Sequence, residues 1–142
     1  MFNFEQKQLY VANIARRDLE TGNYNQQVFK PENTMSISIN DPAAFPPSAV
    51  TKFKDKVFVY FLDVEDVENE FAIGPNGAYR IAAAIKTAMK HNLNVLVHCT
   101  AGICRSGAVA EACEVLGFEY IGNYKQPNLL VKKRLFRELR LD

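Results

Sequence analysis

Apolar and polar positions along this chain follow two periods, and the switches between them mark out the elements. Residues 8–13 form a short apolar run that predicts a first strand, and 16–20 reads as a short helix stopped near Gly22. Residues 34–40 (Thr34-Met35-Ser36-Ile37-Ser38-Ile39-Asn40) alternate with period two and predict a second strand, which Asp41-Pro42 and Pro46-Pro47 terminate in a rigid loop. Residues 57–62 are continuously apolar and aromatic, the pattern of a central strand covered on both faces.

From 77 to 91 the period becomes helical, with Ala78, Ile81, Ala84, Ile85, Ala88 and Met89 on one face and Lys86 and Lys90 on the other. Residues 93–98 then predict another strand. Strand 57–62, this helix and strand 93–98 make a crossover unit, so the two strands run parallel and end on the same edge of a sheet. The helix over 106–116 is apolar nearly all round and ends at Gly117, and a last helix begins near Pro127-Asn128, with Asn128 as its N-cap. The order predicts a single α/β domain, 1–142, with a central, mostly parallel sheet flanked by helices.

At 142 residues and 48% hydrophobic content the chain has the size and apolar share of one compact domain. A formal charge of +1 provides no overall attraction to nucleic acid or to a membrane surface, and no apolar stretch reaches the roughly 20 residues needed to span a bilayer. Met1–Glu5 lacks the basic start of a secretory leader, and three cysteines is an odd number for a disulfide framework. Both features predict a cytoplasmic protein.

The chemistry concentrates in His98-Cys99-Thr100-Ala101-Gly102-Ile103-Cys104-Arg105-Ser106. A short glycine-containing loop that runs from a strand into a helix turns successive backbone N–H groups inward and makes an anion nest, for which phosphate is the natural guest. The same positive field, with Arg105 beside it, favours the thiolate form of Cys99. This Cys-x5-Arg pattern, with its preceding strand, inner glycine and flanking histidine and serine, resembles the signature loop of the protein-tyrosine and dual-specificity phosphatases. Ser36–Pro42 and Pro127-Asn128 resemble further motifs of a bacterial and phage dual-specificity-like subgroup.

The resemblance implies hydrolysis of phosphate monoesters, foremost protein phosphotyrosine and with it phosphoserine or phosphothreonine, through a cysteinyl-phosphate. Cys99 is then the nucleophile, Arg105 the phosphate ligand and transition-state clamp, and the amides of Thr100, Ala101, Gly102, Ile103 and Cys104 complete the cradle. Ser106 assists the sulfur's departure, His98 orders the loop by hydrogen bonding, and Asn128 either braces it or simply caps the last helix.

The acid that protonates the leaving alcohol lies on the loop after strand 57–62. Asp63 stands at the strand end, and Asp66 fits the spacing of ordinary dual-specificity phosphatases, so both remain candidates. Gly74 and Gly77 could let this loop open and close, and Phe45, Phe71 and Tyr79 could wall the pocket. Cys104, directly before Arg105, is placed for a reversible disulfide with Cys99 that would silence the enzyme, whereas Cys113 reads as core. The partner implied is a phosphorylated protein or peptide. No cofactor is required, and the two histidines and three cysteines have no zinc-ligand spacing.

Two other enzymes fit parts of the pattern. A rhodanese-like sulfurtransferase carries persulfide on a cysteine at a strand end and needs no upstream acid. An RNA 5′-phosphatase would use the basic residues Lys132, Lys133, Arg134, Arg137 and Arg140, which otherwise read as the solvated face of the last helix. A module that only binds phosphate would have no need of both Cys99 and Arg105.

Overall fold

A computed structural model describes residues 7–142; Met1–Glu5, read above as lacking a leader, lie outside the described residues. Five strands, β1 (Tyr10–Ala15), β2 (Thr34–Asn40), β3 (Asp55–Tyr60), β4 (Asn94–Cys99) and β5 (Glu119–Tyr120), form one sheet in the order β3-β2-β4-β1-β5. Every pairing is parallel. All strands therefore end on one rim, where Ala15, Asn40, Tyr60 and Cys99 are the last strand residues.

The two-residue period of the strands divides the interior into two cores. Val95, Val97 and Cys99 of β4 face one side with Val11, Ile37 and Val59, and there they meet Ile81 and Ile85, Val109, and Val131 and Leu135. These belong to the helices α2 (Pro75–Lys90), α3 (Arg105–Val115) and α4 (Leu129–Glu138). Leu96 and Ala12 point to the opposite side, against Leu19 of the short helix α1 (Arg16–Thr21), Phe29, Val50 and Phe53. Val50 is carried by a 3-10 turn, Ser48–Lys52, that follows Pro46-Pro47. Among the described residues no helix is long and apolar enough to cross a membrane.

Two expectations change. The first strand is Tyr10–Ala15 rather than 8–13, because it extends in register with β4 as far as Ala15 opposite Cys99. The run 57–62 is not central, since β3 ends at Tyr60 and pairs only with β2. Its residues are apolar on both faces because Val57 and Val59 adjoin one core and Phe58 the other, which is independent of how many edges are paired. The strands enclosed by neighbours are β2, β4 and β1, and in β2 the polar positions Thr34, Ser36, Ser38 and Asn40 are as buried as its apolar ones.

Candidate active site

The loop between β4 and α3 is fixed from outside by its carbonyl groups. Arg16 N–H donates to the Thr100 carbonyl at 3.3 Å, Gln126 N–H to that of Ile103 at 3.1 Å, and Asn128 N–H to that of Cys104 at 2.9 Å. The Asn13 side chain, on β1, donates to the Gly102 carbonyl at 2.8 Å. In a trans peptide each carbonyl points away from the following N–H. Carbonyls drawn outward at Thr100, Gly102, Ile103 and Cys104 therefore turn the N–H groups of Ala101, Ile103, Cys104 and Arg105 to the opposite, concave side. Gly102 makes the turn possible: its φ is +72°, and a Cβ there would lie 2.2 Å from the Ala15 nitrogen.

Cys99 is buried, and its Sγ receives the Gly102 N–H at 3.2 Å and lies 3.1 Å from Ser106 Oγ. Arg105, also buried, directs Nη1 to Asp41 Oδ1 at 2.8 Å and to the Phe61 carbonyl at 2.7 Å, and Nη2 to Thr100 Oγ1 at 3.1 Å. Its Nε has no partner. Of the five N–H donors of a guanidinium, Nε–H and one on Nη2 remain for a guest, while the end of β2 and the residue after β3 hold the group in place. Asp41, Asp63, Cys99, Cys104 and Arg105 share the lining of one cavity of about 330 Å³.

The two candidate acids part here. Asp63 lines that cavity, and its Oδ1 accepts a 2.8 Å hydrogen bond from Asn128 Nδ2. Asp66 does not line it; its Oδ1 caps its own turn by accepting from Glu68 N–H at 2.9 Å. Asn128 fills both roles weighed for it. Its Oδ1 accepts the N–H groups of Leu130 and Val131, both at 3.0 Å, as the N-cap of α4, and its amide nitrogen and backbone tie Asp63 and Val64 to the Cys104 end of the loop. Gly77 lies inside α2 and Gly74 at its N-cap position.

His98 is bonded sideways across the sheet: its Nε2 lies 2.6 Å from Ser38 Oγ, which in turn accepts from Asn40 Nδ2 at 3.0 Å. Burial pushes its pKa down from 6.5 to about 4, so the ring is neutral near pH 7. At the other end of the loop the Cys104 thiol is pushed up, first by burial and then by the Asp63 carboxylate beside it. Burial also raises Cys113, which sits in the larger core. All three cysteines are free thiols.

Phe45, Phe71 and Tyr79 do not line the Cys99 cavity; each is well exposed, Phe45 by 87%. Lys132 on α4 pairs with Glu111 at 3.0 Å, while Lys133 and Arg137 are exposed. Among the described residues no three side chains are grouped to ligate a metal.

Sequence reasoning missed Asn13, Ser38 and the anchoring role of Asp41. The last was within reach, because Asp41 directly follows a strand that ends on the same rim as Cys99. No model of a known protein family matches the chain, and no curated protein matches its sequence.

Proposed function

We propose that this protein is a cysteine-dependent phosphatase of the protein-tyrosine/dual-specificity type, acting on phosphate monoesters of protein side chains. The observation that carries the reading is the guanidinium of Arg105. It is fixed through Nη1 by Asp41 and Phe61, while its Nε–H and one Nη2–H have no protein partner, and Arg105 lines the same cavity as Cys99.

The phosphate binds with two oxygens on those donors, a bidentate contact that a lysine could not make, and with the others on the inward N–H groups of the loop. Cys99 Sγ attacks phosphorus. The S–P bond forms as the P–O bond to the alcohol breaks, and protonated Asp63 passes its proton to the departing oxygen. The charge on the transferring group is met by dipoles and a cation already in position.

In the second step the Asp63 carboxylate takes a proton from water, whose oxygen attacks phosphorus. Inorganic phosphate leaves, and the sulfur departs as a thiolate that accepts a hydrogen bond from Ser106. Neutral His98 holds β4 to β2 below the loop and transfers no proton. An odd number of cysteines, one of them the nucleophile, suits a reducing compartment, and we assign the protein to the cytoplasm on that ground.

Hydrolysis of p-nitrophenyl phosphate and of a phosphotyrosyl peptide by the parent, with loss of both in Cys99→Ser, is the expected result. Equal turnover by the two proteins would overturn the covalent route. Thiosulfate:cyanide turnover without phosphate release would make the protein a sulfurtransferase instead, a reaction for which Asp63 in the cavity has no use.

A further inference from the structure

A larger cavity, about 540 Å³, opens on the other side of the phosphate loop. Ala101 lines both it and the Cys99 cavity, so the two adjoin across one residue of the loop. Nothing in the reaction above uses it.

Its floor and its walls differ. On the floor Asn13 is fully engaged, donating to the carbonyls of Gly102 and Tyr124 at 2.8 Å each and accepting from the Tyr120 hydroxyl at 2.7 Å. The walls keep acceptors open. Asp18 is the single charged side chain lining the cavity, and no lysine, arginine or histidine lines it. Asn23 donates to Asp18 Oδ1 at 3.2 Å, which leaves Asp18 Oδ2 and the Asn23 carbonyl oxygen unengaged, with Tyr124 half exposed at the rim.

Two neighbouring cations stay outside the lining. Arg16 reaches the Phe45 carbonyl at 2.6 Å and Glu20 at 3.6 Å, and Lys52, 5.2 Å from the centre of the ring of Tyr24, a wall residue, does not itself line the cavity. A concave site with one carboxylate, amide oxygens, an aromatic rim and no lining cation is complementary to a guanidinium or ammonium group. It repels the phosphates of a nucleic acid.

We infer that this cavity is a substrate subsite that takes a basic side chain, arginine or lysine, flanking the phosphorylated residue of the polypeptide substrate, with Asp18 as the residue that sets the preference. The inference rests on the phosphatase reading and narrows its substrate to basic phosphopeptides. While the phosphate occupies the Cys99 cavity, the neighbouring side chain crosses Ala101 and pairs with Asp18.

The test compares phosphotyrosyl peptides that differ only in carrying arginine or glutamate next to the phosphotyrosine, on either side, and reads the ratio of kcat/KM within each protein. The parent favours the arginine peptide by about threefold to fivefold at low ionic strength, the range of a partly exposed ion pair, and the ratio shrinks as salt is added. Asp18→Asn brings the ratio close to one, and Asn123→Lys, which puts a cation into the same cavity, reverses it.

A ratio near one in the parent, or a ratio unchanged in both variants, overturns the inference while hydrolysis of p-nitrophenyl phosphate still upholds the phosphatase reading. Absence of p-nitrophenyl phosphate hydrolysis overturns both.

Discussion

The loop between β4 and α3 has two sides, and they are built on opposite principles. On the side of Cys99 the polar groups carry unused bonding capacity: Arg105 Nε is buried without a partner, and the inward N–H groups converge on one small cavity. On the side of β1 the contacts are closed. Asn13 satisfies two carbonyls and a hydroxyl, Arg16 N–H meets Thr100, and Gly102 packs against the β1 backbone so closely that no Cβ fits. An array of amides aimed at an anion must be held apart against its own dipoles. The closed side supplies the rigidity that lets the open side stay open. Variants on the open side are therefore expected to lose chemistry and keep stability, and variants behind it to do the reverse.

The largest effect is at the sulfur. Cys99→Ser lowers kcat by more than roughly a thousandfold, because an alcohol in this position is a far weaker nucleophile, and leaves the urea midpoint near that of the parent. A large fall in stability would mean that the cysteine is core rather than nucleophile.

Next come the two aspartates. Asp63→Asn lowers kcat on a phosphotyrosyl peptide by about 10²- to 10⁴-fold, the usual share of a positioned acid, while Asp66→Asn stays close to the parent. Reversal of that order would move the acid to Asp66 and require the loop to rearrange on binding.

Stability against pH probes the side behind the sulfur. His98 remains neutral in the fold down to about pH 4, whereas in the unfolded chain it takes up a proton near 6.5. Its contribution is thus present above pH 6.5 and is lost as the pH falls from 6.5 toward 4, up to about 3 kcal/mol. Urea titrations of the parent and of His98→Gln check this, since the variant lacks that segment of the pH dependence. The smallest change is Asn13→Ala, which orphans the Gly102 and Tyr124 carbonyls and lowers stability by about 2 kcal/mol. Its kcat falls only insofar as the loop relaxes.

The open side was readable in the sequence because it is contiguous. Cys99, Gly102, Arg105 and Ser106 belong to one turn, and their spacing alone carries the geometry. The closed side was not, since Asn13 reaches the Gly102 carbonyl, and Ser38 reaches His98, only through the order of the sheet.

That order puts β4 between β1 and β2, and no local pattern states it. The same gap misplaced β3, where a core on each face makes an edge strand as apolar as a central one. Where Asp63 and Asp66 come to lie turned on the path of a loop. The Asn128 amide bonds to Asp63 from 65 positions away.

The most direct measurement is a rapid acid quench of the parent during turnover of a phosphotyrosyl peptide, followed by mapping of the phosphate to a residue. The account predicts phosphate on the sulfur of Cys99 and none in Cys99→Ser. Steady turnover with no phosphate on Cys99, or with the phosphate on another residue, would contradict it.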